Sequence, residues 1–256
     1  MNIKIKNFLA MAAGASVLLA MGAPPAQAVV PETPLTCGMV VTKDTVVILK
    51  QDLTCATKYG VRVDYDEADD NAKIPKVTVD LRGHTLRGTG MQDSFGVAGF
   101  DYPSPTQVRV INGTVTKWHY AVGGDNNSRM EKLKLVGNQY AYFCNGGCSL
   151  TDSYVAGSTL SGMAVGGEAN AVVKRTVFVG NAKAASVGIP NRLTIDHSVF
   201  IKNRIAIYNA DSTPTVSDSV FIRNDVVVHN EGSDGCASLV RDTFIGNRVR
   251  TAGSSC

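Results

Sequence analysis

The sequence predicts an all-β solenoid, in which short three-strand coils stack with their strands parallel. A pattern of about 21 residues recurs from residue 112 onward, and five of its seven copies place an apolar residue and then an asparagine at fixed positions. The composition agrees with this prediction. The 256 residues include 25 Gly, one Trp, many Val and Thr and few Glu or Gln, which is not typical of a helical protein.

The repeat is clearest in seven aligned rows. Asn112 opens the first row and Arg241 opens the last, and the intervals between them average about 21 residues, the length of one repeat. A second short apolar strand follows each row and a third precedes it, which gives three strands per coil. The rows open at Asn112, Lys132, Asp152, Arg175, His197, Asp218 and Arg241.

Two columns of the repeat predict the interior of the solenoid. Alternation along a strand points the aromatic column inward, and stacked coils bring like residues together at roughly 4.8 Å. An inward asparagine ladder satisfies the backbone of a tight turn. A sandwich of hairpins would not produce these columns. The columns are Phe178, Phe200, Phe221 and Phe244, and Asn138, Asn181, Asn203, Asn224 and Asn247 with Ser158 in the gap.

The segment 1–28 is predicted to be a signal peptide. Lys4 and Lys6 form a basic start, an apolar run follows, and Ala26-Gln27-Ala28 supplies a small-x-small cleavage pattern. The apolar run is short for a membrane span, and no later stretch is long enough. We therefore expect residues 29–256 to form one exported β-helix domain, secreted or periplasmic.

The charge balance excludes a class of partner. With 25 Lys+Arg and 22 Asp+Glu the net charge is +3, and removal of Lys4 and Lys6 leaves +1. Binding nucleic acid by bulk electrostatics requires a clear excess of clustered cations. We expect no nucleic-acid partner, no membrane span and a monomer.

All six cysteines follow the predicted cleavage point, which indicates disulfides in an exported chain. Six cysteines allow 15 connectivities. The CNGGC segment, Cys144–Cys148, is interpreted as a stapled loop. The spacing from Cys236 to Cys256 is close to the length of one coil, so this pair is expected to bridge neighbouring coils at the C-terminal end.

The rows resemble the right-handed parallel β-helix proteins of the pectate-lyase-like superfamily, which have the pectin lyase fold. VTVDLRGHTLRGTG, residues 77–90, is similar to the strand–turn–strand that opens many bacterial members, and residues 37–55 are similar to their N-terminal segment. The resemblance implies a right-handed, single-stranded β-helix and a Cys37–Cys55 disulfide. It does not imply one activity, because this fold carries lyases, hydrolases, epimerases, adhesins and inert spikes.

The first position of each row forms an outward column of charged residues with two open interpretations. The structural interpretation is a ladder of opposite charges. The functional one takes Asp152 and Asp218 as acids, Arg175 as a clamp for a substrate carboxylate and His197 as a base. The Ile195-Asp196-His197 segment resembles a pectate-lyase motif, so Asp196 joins the candidates, although the family's calcium-binding acids and catalytic Arg segment are not found.

A second candidate surface carries Tyr208 and His229, one coil apart. Tyrosine and histidine can serve as an acid/base pair for β-elimination, with His abstracting the proton next to a uronate carboxylate. Such a surface would equally bind sugar rings without reacting. Tyr120, Tyr140 and Tyr142 are expected to extend the aromatic strip, with some of them in the core.

An acidic segment near the N-terminus is a candidate calcium site. Asp64, Asp66, Asp69 and Asp70 offer oxygen ligands, and uronate lyases often need Ca²⁺, but the spacing completes no calcium-loop motif and also fits a solvated loop.

Together these features predict an exported β-helix protein that binds or processes polysaccharide or cell-surface glycan. If it is an enzyme, a lyase of uronate-containing glycans is favoured over a glycoside hydrolase. The alternative is a non-catalytic structural or adhesion module.

Overall fold

The protein is a parallel β-solenoid of about nine turns, described here from a computed structural model. The structure describes residues 30–64, 75–99, 107–124, 127–167, 169–188, 191–232 and 235–253. Within these ranges every strand pairing is parallel and there is no helix, hence none long and apolar enough to span a membrane. The predicted signal peptide lies outside the described residues.

Three faces run the length of the solenoid. Two of them are joined into one sheet because β9 and β11 bend through the corner between them. Face 1 comprises β1 (Glu32–Pro34), β3 (Thr45–Ile48), β6 (Lys76–Asp80), the first halves of β9 (Gln107–Thr116) and β11 (Ser128–Val136), β13 (Cys148–Thr151), β16 (Asn170–Lys174), β19 (Arg192–Asp196), β22 (Thr215–Ser217) and β25 (Ser238–Val240).

The other two faces complete each coil. Face 2 comprises β4 (Leu53–Thr54), β7 (Thr85–Arg87), the second halves of β9 and β11, β14 (Tyr154–Ala156), β17 (Val177–Val179), β20 (Val199–Ile201), β23 (Val220–Ile222) and β26 (Thr243–Ile245). Face 3 comprises β2 (Met39–Val41), β5 (Tyr59–Val63), β8 (Phe95–Gly99), β10 (Tyr120–Gly124), β12 (Tyr140–Asn145), β15 (Ser161–Gly166), β18 (Lys183–Val187), β21 (Ile205–Ala210), β24 (Val226–Glu231) and β27 (Val249–Gly253).

The predicted aromatic ladder lies inside, on face 2. Phe178, Phe200, Phe221 and Phe244 stack with ring centroids 5.0, 4.8 and 5.4 Å apart and planes within 9° of parallel. The first three are fully buried, and Phe244 is partly buried in the last coil. Alternation along the strands therefore predicted the inward side correctly.

The asparagine ladder follows face 2 at the corner with face 3. In each complete rung, one amide oxygen accepts both the backbone N–H and the side-chain N–H of the preceding asparagine, as Asn203 Oδ1 does from Asn181 at 2.9 and 3.0 Å. The side-chain N–H of Asn203 donates to the carbonyl of Phe178 at 3.1 Å and to Asn224 Oδ1 at 3.0 Å. The ladder satisfies buried backbone groups that the corner leaves without strand partners.

A single left-handed residue turns the chain at each of two corners. Corner 1, between faces 1 and 2, has φ between 46° and 60° at the whole outward charged column from Asn112 to Arg241. Corner 2, between faces 2 and 3, has φ between 51° and 64°, and four of its seven positions are glycine. Glycine suits this conformation because it has no Cβ. The seven positions of corner 2 are Lys117, Gly137, Gly157, Gly180, Lys202, Arg223 and Gly246.

Two predicted disulfides are present, Cys37–Cys55 and Cys144–Cys148. The first ties the N-terminal segment beside β2 and β4, and the second staples the turn between β12 and β13. Cys236 is disulfide-bonded, and its predicted partner Cys256 lies outside the described residues.

Candidate functional site

At corner 1 the charged column forms ion pairs between neighbouring coils. Arg175 donates two hydrogen bonds to Asp152, at 2.6 and 2.8 Å, and Arg241 donates two to Asp218, at 2.7 and 2.6 Å. These hydrogen bonds lower the pKa of both aspartates. Arg175, considered as a clamp for a substrate carboxylate, is thus already paired with a carboxylate of the protein itself.

His197 lies between these two pairs and forms a dyad with its sequence neighbour. Its Nδ1 is 2.8 Å from Asp196 Oδ1, which also accepts a hydrogen bond from Ser217 Oγ at 3.1 Å. The hydrogen bond with His197 lowers the pKa of the Asp196 carboxyl. A carboxylate that holds Nδ1–H leaves Nε2 as the proton acceptor, so the dyad can act as a general base. The His197 side chain is 64% exposed.

Ligand atoms of Asp196, His197 and Asp218 all lie within 4.8 Å of one another, close enough to share a metal ion. Both oxygens of Asp218 accept hydrogen bonds from Arg241, and a cation there would compete with that guanidinium. Of the predicted calcium ligands only Asp64 is described, and it lies 2.8 Å from Arg62 Nη2. Asp66, Asp69 and Asp70 lie outside the described residues, so the calcium site stays a prediction.

Tyr208 and His229 lie on face 3, away from corner 1. Their rings stack with centroids 5.5 Å apart, and Lys183 Nζ lies 3.4 Å from the Tyr208 centroid. Burial lowers the pKa of Lys183. Tyr208 and His229 are register partners on neighbouring coils, and they lie on a surface separate from that of His197, which is the arrangement expected from their spacing.

The upstream half of face 3 carries a longer aromatic stack. Tyr59, Phe95, Tyr120 and Tyr140 follow one another with centroids 5.8, 4.7 and 5.0 Å apart. Tyr142, in contrast, is fully buried in the core. Tyr120 and Tyr140 therefore belong to an aromatic stack, but this stack ends before Tyr208 because Ser161 follows Tyr140 in the next coil.

A groove that sequence reasoning missed runs along face 1, and we call it the face-1 groove. Two adjoining depressions share Asn127 and Arg129 and extend from β6 to β16. Across five strands this is about 19 Å at ~4.8 Å per strand. Its outward polar residues are Lys76, Thr78, Gln107, Arg109, Asn127, Arg129, Glu131, Ser149, Thr151, Asn170 and Lys174.

Positive charge is in excess in this groove. Arg109 and Arg129 are direct register partners on neighbouring strands, an arrangement that like charges make unfavourable. Arg109 donates two hydrogen bonds to Glu131, at 3.1 and 2.7 Å, and they lower the pKa of that carboxyl. Within the described ranges, no acid lies at ion-pair distance from Arg129. The sequence did contain a signal for this groove, because the alternation of apolar and polar residues in 107–111 and 128–132 points Arg109 and Arg129 outward.

Comparison with known proteins supports the fold. No protein-family model matches this chain, and no curated protein matches it by sequence. The structure is similar to the enzymatically active domain of tailspike protein 2 of bacteriophage CBA120, with a TM-score of 0.51 and 12% identity over 84% of this chain.

The fold is a right-handed parallel β-helix. This β-helix spans 41% of the tailspike domain that it matches. An identity of 12% supports the fold and carries no activity from one protein to the other.

Proposed function

We propose that this β-helix binds an acidic polysaccharide along the face-1 groove. The observation that carries the proposal is Arg129, an exposed guanidinium with no acid at ion-pair distance in the described part of the chain, placed at the centre of a long polar groove. A guanidinium matches a carboxylate in charge and in planar geometry. Lys76 and Lys174 stand at the two ends, so a polyanion would meet cations along its length.

The polymeric nature of the ligand is supported by the shape of the surface. The groove crosses five coils in steps of ~4.8 Å and is open at the surface, which suits an extended chain better than a compact molecule. The similar tailspike domain is described as enzymatically active, so a β-helix of this kind is compatible with a surface that acts on a ligand.

We further propose that the Asp196–His197 dyad accepts the proton in a β-elimination. Asp196 is the register partner of Lys174, which lines the downstream end of the groove. Lys174 would pair with the uronate carboxylate and acidify C5–H. His197 Nε2 would take that proton, the C4–O bond would break, and a C4=C5 double bond would form, with the leaving oxygen protonated by water.

The binding experiment compares two arginines on the purified protein, using polygalacturonate, alginate and hyaluronan with neutral dextran as the reference. Arg129→Gln should weaken binding of the preferred polyanion by about ten- to hundredfold, the effect of losing a charged hydrogen bond. Arg175→Gln, which removes an equal charge from corner 1, is the matched control and should leave affinity unchanged. Equal effects of the two changes, or no binding to any polyanion, would contradict the proposal.

The turnover experiment follows ultraviolet absorbance of the unsaturated uronate, with and without Ca²⁺. His197→Ala should lower the rate about 10²- to 10⁴-fold and leave polyanion affinity intact. New reducing ends without the chromophore would indicate hydrolysis and a carboxylate pair instead. Binding with neither product would establish the non-catalytic module, which the paired charges of corner 1 favour as the second candidate.

We also propose that the protein is exported. The disulfides support this, because they persist in oxidising compartments, and so does the signal pattern that ends at Ala28. The mature protein recovered from its host should begin at Val29.

A further inference from the structure

A notch interrupts the aromatic residues of face 3, and we call it the face-3 notch. Its walls are Tyr140, Phe143, Leu160, Lys183 and Tyr208, and Ala164 and Ser186 form its floor. It encloses about 300 Å³, at the lower end of the range for small-molecule sites. The face-1 groove lies on another side of the solenoid, so the two surfaces do not share residues.

Strand register explains why the notch is there. One outward column of face 3 runs Phe143, Ala164, Ser186, Tyr208 in successive coils. Two small residues thus separate two aromatic rings that are three strand spacings apart, about 14 Å at ~4.8 Å each. The neighbouring column also changes here, from Tyr140 to Ser161.

This interruption exposes a ring face. Inside an aromatic ladder each ring is covered by its neighbours on both sides, so solvent reaches only ring edges. Tyr140 stacks on Tyr120 on its upstream side, but its partner in the next coil is Ser161. The downstream face of Tyr140 is therefore turned toward the notch, and the negative face of an aromatic ring attracts the C–H groups of a sugar.

The notch also contains a cationic side chain, that of Lys183. Lys183 Nζ lies over the Tyr208 ring on the side of the notch, and His229 covers the other side of that ring. Among the described residues no carboxylate is within ion-pair distance of Lys183, although the charge of Glu231 acts on it from farther away. A half-buried ammonium without an acid partner is suited to pair with an anionic ligand.

We propose that the face-3 notch binds a single anionic sugar ring, with the sugar's apolar face on Tyr140 and its carboxylate on Lys183. The choice of a uronate as ligand rests on the function proposed above. The notch would then be a second site, which holds a chain end or side branch of an acidic glycan while another chain segment occupies the face-1 groove. Its small volume favours one ring over an extended polymer.

The test uses galacturonate and galactose, which differ by the carboxylate, and measures their affinities for the purified protein by calorimetry and saturation-transfer NMR. Galacturonate should bind at least tenfold more tightly than galactose. Lys183→Gln should remove that preference, and Ser186→Tyr, which fills the notch and extends the Tyr208 stack, should abolish binding of both sugars. Glu231→Gln should tighten galacturonate binding severalfold, because it removes an opposing carboxylate.

Arg175→Gln is the matched control, because it removes a cation from corner 1, outside both proposed binding surfaces, and should leave galacturonate binding unchanged. The notch proposal would be overturned if galacturonate still bound Ser186→Tyr, if Lys183→Gln kept the preference for galacturonate over galactose, or if the unaltered protein bound no galacturonate. Each of these outcomes would count against the notch even if polyanion binding still required Arg129. If the notch binds galacturonate but Arg129→Gln does not change the affinity for polyanions, the face-1 proposal would be overturned instead. Circular dichroism confirms that each variant keeps its fold.

Discussion

The interior and the exterior of this solenoid use the same one-coil spacing in opposite ways. Inside, identical side chains stack, as Phe200 does between Phe178 and Phe221, because apolar rings and amides gain from having their own kind above and below. Outside, at corner 1, identical charges would repel, and the column alternates so that arginine meets aspartate.

The difference shows where to look for function on a repeat protein. An inward column that repeats without interruption is structure. An outward column whose charges neutralise each other, as Asp152 and Arg175 do, also serves the fold. Such paired charges are not by themselves evidence of a functional site. The two binding sites that we propose lie where the outward pattern breaks, at Arg129 on face 1 and at Ser161 on face 3.

The largest effect is expected from breaking the interior aromatic ladder. Phe200→Ala leaves a cavity between two rings at 5.0 and 4.8 Å and should lower the free energy of unfolding by about 3–5 kcal/mol in urea denaturation. Phe244→Ala, in the last and partly buried rung, is the control and should cost only about 1–2 kcal/mol. Equal costs at both positions would mean that stacking on two sides adds nothing.

A break in the asparagine ladder should cost somewhat less. Asn203→Ala leaves the backbone N–H and one side-chain N–H of Asn181 without the amide oxygen that accepts both. At about 1–3 kcal/mol for each unsatisfied group, partly relieved by water, the free energy of unfolding should fall by about 2–4 kcal/mol. Asn203→Ser, the residue that nature places at Ser158, should recover part of the loss, and an alanine variant as stable as the parent would contradict the role of the ladder.

The same comparison explains how much the sequence could predict. The inward columns were predictable because one residue type repeats, so Phe178 and Asn181 indicated the fold, the strand direction and the side that faces the core. The outward sites were harder, because they depend on which residues become neighbours across coils. Arg129 lies opposite Arg109 through the register of β9 and β11, and Lys183 on β18 reaches the Tyr208 ring on the paired strand β21. Neither contact is a pattern within one repeat.

A gain of stability is expected where the interior ladder has a gap. Ser158 occupies an asparagine position, and its buried hydroxyl oxygen has no hydrogen-bond partner within the described part of the chain. Ser158→Asn would offer its amide oxygen to the Asn138 backbone N–H and its amide N–H to the Leu135 carbonyl, as the other rungs do. One or two new bonds should raise the free energy of unfolding by about 1 kcal/mol. Destabilisation would show that the corner at Gly157 cannot hold the larger side chain.

The smallest effect is expected from the ion pairs of corner 1, and an acid titration measures their contribution separately. Arg175 and Arg241 lower the pKa of Asp152 and Asp218 from the ordinary value of 3.8. Because the folded pKa is depressed, each pair stabilises the fold above the pKa of the unfolded chain, and that contribution is lost as pH falls through the folded pKa.

Carboxyl NMR should show both groups titrating below 3.8, and Arg175→Gln should return Asp152 toward that value while Asp218 keeps its shift. Because the side chains of Arg175 and Asp152 are exposed to water, the accompanying change in stability should be slight. A large loss of stability in Arg175→Gln would mean that the outer column holds the coils together as the inner ones do, and the contrast between interior and exterior would fail.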